Sequence, residues 1–186
     1  DLHYPLRRQR QMCIRDRDQV LLTLDTTGDS LFKRGYRTGK GPAPLKENLA
    51  AALIKLTTWF PDKPFVDPTC GSGTLPIEAA LIGHNIAPGF NRSFLCENWP
   101  SMPQELWEKV RLEADQAANY DIDLDIAGYD IDHRMVEIAQ ENAMEAGLYH
   151  SISFKQMQVA DFTTDKKFGI MISNPPYGER LGDKEK

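Results

Sequence analysis

The sequence predicts an α/β domain built on a mostly parallel sheet, and three observations predict it. Short apolar runs alternate with segments of helical period between residues 64 and 173. A glycine-rich turn follows the first of those runs directly. Carboxylates stand at or just beyond the ends of three successive runs, where open α/β sheets bind their ligands.

Taken in order, residues 1–17 hold neither helical nor strand periodicity and read as a leader of foreign or misread origin. The chain starts at Asp1 and stops at Lys186 in a charged run, so both ends read as cut edges. Residues 18–60 are expected to form a hairpin and a helix. Gln19–Leu24 is the first strand, Asp25-Thr-Thr-Gly-Asp29 its turn, and Ser30–Lys33 the returning strand. After a break at residues 39–44, Leu45, Leu49, Ala52, Leu53 and Leu56 mark a helix that ends near Thr58. Residues 61–186 are expected to form the core. Its strands are Pro64–Asp67, Asp125–Asp130, Ile152–Gln156 and Phe168–Ser173. Its helices are Leu75–Gly83, Gln104–Asn119 and His133–Ala146, with an insertion containing prolines and aromatic residues from Asn85 to Pro103.

Composition narrows the function. Hydrophobic residues at 41% and charged residues at 26% suit a soluble globular domain. No apolar run approaches the roughly 18 residues of a membrane span, and no signal-peptide pattern is present, so a cytoplasmic protein with no membrane partner is expected. Cys13, Cys70 and Cys96 are odd in number and scattered, which argues against a disulfide framework or a zinc site. His3, His84, His133 and His150 show no ligand spacing and read as surface or cap residues, so no metal is expected. The net charge of −5 is unevenly spread: residues 1–46 carry ten Lys/Arg against five Asp/Glu. A basic edge on an acidic body is compatible with RNA contact.

Two constellations carry the chemistry. The first is Asp67-Pro-Thr-Cys-Gly-Ser-Gly-Thr74. It lacks the Gly-Lys-Ser/Thr ending of a phosphate loop and is not the Gly-x-Gly-x-x-Gly of dinucleotide enzymes. An acid leading into the glycine turn suits a ligand with a cationic amino-acid end, which S-adenosylmethionine has. Asp130 ends the second strand, where an acid accepts from ribose hydroxyls, and Asp161 lies just past the third, placed to accept from an adenine amino group. The second constellation is Asn174-Pro175-Pro176-Tyr177, directly after the fourth strand. An exocyclic base amine is a poor nucleophile because its lone pair is delocalised into the ring. The Asn174 side-chain oxygen and the Pro175 carbonyl can accept its two N–H bonds and localise that lone pair. The prolines preorganise the acceptors, and Tyr177 offers a face for a base taken out of its helix. A rigid turn would explain the prolines alone; their place behind the glycine loop points to catalysis.

Asp67–Ala80, Ala87–Arg92, Ser173–Leu181 and Leu31–Arg37 together resemble the THUMP-associated RNA methylases. That family comprises large-subunit ribosomal RNA guanine-N2 methyltransferases and tRNA-modifying relatives, often labelled DNA N6-adenine methylases. The similarity runs from about Asp18 to Asp183 and is closest to the form in Gram-positive bacteria. The resemblance implies a Rossmann-like class I fold that uses S-adenosylmethionine. Asp67, Cys70, Gly71, Gly73 and Thr74 would surround the methionine part, Asp130 with Ile131 the ribose, and Asp161 the adenine. Asn174–Tyr177 would hold the base, while Lys33, Arg34, Tyr36, Arg37 and the Pro44–Lys46 stretch would close over the cofactor or touch RNA. There are departures. Phe32 stands where many members have His, no THUMP module precedes the domain, and the family continues past Arg180 with three further strands. A C-terminally truncated fragment is therefore expected, its last strand an unpaired edge.

The expected activity is methyl transfer from S-adenosylmethionine to the exocyclic N2 of a guanine in 23S ribosomal RNA. Alternatives are a tRNA guanine-N2, DNA N6-adenine or protein glutamine methyltransferase. A non-catalytic RNA-binding module is the rival of another class, and a nicotinamide dehydrogenase is disfavoured by the glycine loop.

Overall fold

The computed structural model describes residues 12–16, 19–39 and 44–176. Its centre is a four-stranded parallel sheet of β3 (Phe65–Asp67), β4 (Ile126–Asp130), β5 (Ser153–Gln156) and β6 (Ile170–Met171), in the order β5-β4-β3-β6. The first three strands step outward to one side. β6 returns to the other side of β3, so the strand order reverses between β3 and β6. Crevices at such reversals, beyond the carboxyl ends of the strands, are where open sheets bind ligands.

Among the described residues four α-helices accompany the strands: α1 (Glu47–Lys55), α2 (Thr74–Gly83), α3 (Gln104–Gln116) and α4 (His133–Glu145). α2 has no polar face; all its residues but Ile82 are buried, because it packs between α1 and strands β3 and β4. α4 is amphipathic instead. Val136, Ala139 and Ala143 form its apolar stripe towards β4 and β5, and Asp132 caps it by accepting the Arg134 N–H at 3.0 Å. α3 buries no residue fully; Trp107 stacks on Phe94, and Arg111 ties the helix to Glu97 at 2.8 Å. Among the described residues no helix is long and apolar enough to cross a membrane.

The N-terminal segment joins the same core. Tyr36, Ala50, Ile54 and Trp59 are buried in one cluster with Phe65, Ile77, Leu148 and Phe154. Its hairpin differs from expectation. β2 (Gln19–Thr23) pairs antiparallel with β1 (Met12–Asp16), inside the stretch read as a foreign leader, and not with Ser30–Lys33. Ser30–Lys33 is a turn, closed by the Lys33 N–H on the Ser30 carbonyl at 2.9 Å. Arg92 accounts for this: its guanidinium donates to the carbonyls of Ser30 at 2.9 Å and Lys33 at 3.1 Å, which removes them from any ladder.

Candidate functional site

β3 ends at Asp67, and the turn from Pro68 to Gly73 carries the chain into α2. Backbone groups pin this turn to β4. The Cys70 N–H donates to the Tyr129 carbonyl at 2.7 Å, and the Gly71 N–H donates to Asp130 Oδ2 at 2.9 Å. Asp130 Oδ1 accepts the Asp132 N–H at 2.9 Å, so one carboxylate at the tip of β4 orders both the glycine turn and the start of α4. On the other side, the hydroxyls of Thr69 and Ser173 share a hydrogen bond that ties the turn to the exit of β6.

These contacts frame a cleft of about 590 Å³, within the range of small-ligand sites. Asp67, Cys70, Gly71, Thr74, Asp130 and Ile131 line it, and Asn174, Pro175 and Pro176 close its far side. Tyr177 lies outside the described residues. Met135, Met157 and Val159 supply an apolar flank that the sequence did not single out. Asp161 is exposed and does not line the cleft; the turn that carries it contributes Met157 and Val159 instead.

Gly71 and Gly73 do different work. Both have left-handed backbones, with φ of 52° and 83°. A Cβ on Gly71 would meet nothing within 4 Å, so Gly71 leaves the cleft open. A Cβ on Gly73 would lie 2.9 Å from Ala139 Cβ, so Gly73 serves the approach of α4 and does not line the cleft.

Electrostatics single out Asp67. Its side chain is only 2% exposed, and burial pushes its pKa up to about 7 against the pull of the Thr69 N–H and the Ser173 hydroxyl. Among the described residues no cationic side chain forms an ion pair with it. A buried carboxylate with no cation beside it, facing a cleft, has the chemistry to suit a cationic ligand group. The donor set therefore fits the amino-acid end of S-adenosylmethionine. Cys70 is a poor nucleophile: burial first, then the carboxylates of Asp67 and Asp130, push its thiol pKa well up.

The basic segment expected at the RNA surface is largely internal. Arg34 reaches both carboxylate oxygens of buried Glu78 at 3.4 Å, and the Tyr36 hydroxyl donates to Glu78 Oε1 at 3.1 Å. Arg37 donates to Glu47 Oε1 at 2.7 Å, to Ser72 Oγ at 3.0 Å and to Thr74 Oγ1 at 2.8 Å. Glu47 and Glu78 are buried carboxylates that need these partners, which is why the basic side chains turn inward. Lys33 alone of the four stays exposed, near Asp29 at 3.3 Å. A larger cleft of about 880 Å³ adjoins the first across Pro44 and Leu45. Most of its cations are already engaged, and no strand-end carboxylate faces it, so the smaller cleft is the candidate site.

Known proteins resemble this chain in sequence and fold. The chain is 63% identical over 169 residues to "Putative RNA methyltransferase YpsC" of Bacillus subtilis (strain 168), covering 91% of this chain and 44% of that protein. It is 45% identical over 178 residues to the ribosomal RNA large subunit methyltransferase K/L of Methylococcus capsulatus (strain ATCC 33009 / NCIMB 11132 / Bath), covering 91% of this chain and 24% of that protein. A solved structure described as "SMU.472, a putative methyltransferase complexed with SAH" superposes with a TM-score of 0.84 at 63% identity, over 90% of this chain and 44% of that one. The chain thus spans less than half the length of these relatives. The parallel sheet with its helices is that of a Rossmann-like methyltransferase fold. Residues 34–186 match the family described as RMKL-like, methyltransferase domain (UPF0020), and the chain belongs to that family.

Proposed function

We propose that this chain binds S-adenosylmethionine and methylates the exocyclic N2 of a guanine in large-subunit ribosomal RNA. The observation that carries the proposal is the meeting of Asp67, Asp130 and Asn174-Pro175 in one cleft. The cofactor supplies a methyl group on a sulfonium. Asp67 receives its ammonium end, and Asp130, already oriented by two backbone N–H groups, accepts from the ribose. Met157 and Val159 flank the adenine. The Asn174 side-chain oxygen and the Pro175 carbonyl take the amine N–H bonds, and Tyr177 stacks on the base. The relatives' names support RNA as the substrate. Lys33 and Lys46, exposed beside the adjoining cleft, are the proposed RNA contacts, with Arg34, Tyr36 and Arg37 supporting that segment from behind.

The test is methyl transfer from labelled cofactor to unmodified large-subunit ribosomal RNA, tRNA and duplex DNA, read as modified nucleosides. N2-methylguanosine from ribosomal RNA is expected. Asn174→Ala should lower turnover by about 100-fold while cofactor affinity stays within about threefold. Label appearing as N6-methyladenine in DNA would overturn the RNA assignment. Cofactor binding with RNA binding and no label in any substrate would favour a binding module.

A further inference from the structure

We infer that Arg37 and Asn142 are positioning residues that hold the glycine turn in its binding shape from behind; the inference rests on the cofactor reading above. The turn has a mechanical problem. Gly71 and Gly73, the two residues with left-handed backbones, carry no side chain by which to be held, and Ser72 between them is the one residue that has a handle.

Both faces of that handle are gripped. The Ser72 hydroxyl accepts from Arg37 Nη1 at 3.0 Å, and the Ser72 carbonyl accepts from Asn142 Nδ2 at 3.0 Å. Arg37 Nη2 also donates to Thr74 Oγ1 at 2.8 Å, so one guanidinium spans the far half of the turn. Each gripping residue is itself anchored. Arg37 Nε is bound to Glu47 at 2.7 Å, and Asn142 Oδ1 accepts the N–H groups of Thr38 at 3.0 Å and Gly39 at 3.2 Å. Asn142 is fully buried in α4, amid that helix's apolar stripe, where only a polar task explains an amide. Neither residue lines the cofactor cleft, so both act through Ser72 and Thr74.

The planar fork matters. Guanidinium presents fixed donors to two hydroxyls at once, whereas a lysine ammonium that keeps its ion pair with Glu47 cannot reach both. Arg37→Lys therefore preserves charge and releases the turn. Ser72→Ala removes one acceptor with little change in volume.

The experiment compares the wild-type chain, Arg37→Lys, Ser72→Ala and the double variant. Amide hydrogen exchange at Gly71–Thr74, calorimetric binding of S-adenosylhomocysteine and the unfolding midpoint are measured on each. Arg37→Lys should accelerate exchange in the turn and weaken S-adenosylhomocysteine about tenfold, beyond any change in folded fraction. In the Ser72→Ala background the same substitution should cost less, because the shared hydrogen bond is already gone. Unchanged turn exchange and affinity within twofold for Arg37→Lys would overturn the inference, as would full additivity of the two substitutions. A wild-type chain that fails to bind S-adenosylhomocysteine overturns the cofactor reading instead, and turn exchange alone then decides whether Arg37 holds the turn.

Discussion

Replacing Asp67 with asparagine removes a charge that burial disfavours and keeps an oxygen to accept the Thr69 N–H, now at 3.1 Å. In the unfolded chain this carboxyl titrates near its usual value of about 3.9. In the folded chain burial raises its pKa to about 7. The folded state therefore holds the proton more tightly than the unfolded state. Stability falls as pH rises from about 4 to about 7, and above that window the whole penalty is present. At ~1.36 kcal/mol per pKa unit the full penalty is roughly 4 kcal/mol as an upper bound, of which roughly 2 to 3 kcal/mol accrues between pH 5 and 8. Urea unfolding of the ligand-free chain at both pH values reads this directly. Asp67→Asn should gain on the wild type by that amount on going from pH 5 to pH 8, and should lose S-adenosylmethionine binding. The cationic end of the cofactor should in turn expel the proton. Binding near pH 6 then releases about one proton, visible as buffer-dependent heat, and affinity falls about tenfold per pH unit below 7. A stability difference equal at pH 5 and pH 8, with pH-independent affinity, refutes the assignment of a protonated, unpaired Asp67.

Other perturbations separate neighbouring roles. Gly73→Ala should destabilise by about 3 kcal/mol in urea unfolding, because a Cβ strikes Ala139 in a left-handed backbone. Gly71→Ala should cost only about 1 kcal/mol yet weaken the cofactor more; the reverse ranking would contradict the division of labour between the two glycines. Glu78→Leu should lose about 3 to 5 kcal/mol in the same assay, since Arg34 and the Tyr36 hydroxyl are left without their acceptor. Cys70 should resist iodoacetamide at pH 8 until the chain unfolds, because its thiol is buried and its pKa is raised. Mass-spectrometric labelling of the native chain at that site would speak against it.

Sequence and structure agree where the determining pattern is local. β3, β4 and β5 begin within a residue of expectation because each is a short apolar run with a turn behind it. Asp67, Asp130 and Asn174 converge because a parallel sheet sends every strand's carboxyl end to one edge. Two of the departures involve partners distant in the chain. Ser30–Lys33 looks like a strand until Arg92 takes its carbonyls. Arg34 and Arg37 look like a surface charge run until Glu78 and Glu47 are placed behind them. Composition cannot show that an arginine is facing a buried acid. A signal was present nonetheless: Glu78 interrupts an otherwise apolar helix, and Asn142 interrupts an apolar stripe, and each break marks a buried polar junction.

The strand order of the sheet also sets a timetable. β3 and β4 pair with each other and carry Asp67, Gly71 and Asp130, all of which leave the ribosome well before β6 does. Asn174 follows Asp130, the last of these to emerge, by 44 residues, which at ~5–20 residues per second is a delay of roughly 2 to 9 s. During that interval β3 and β4 can pair, and Asp130 can settle on the Gly71 and Asp132 N–H groups. The Asn174 loop arrives on β6, the shortest strand of the sheet, laid down beside a β3 that is already in place. The wall proposed to present the base is thus the last raised, over a floor already built.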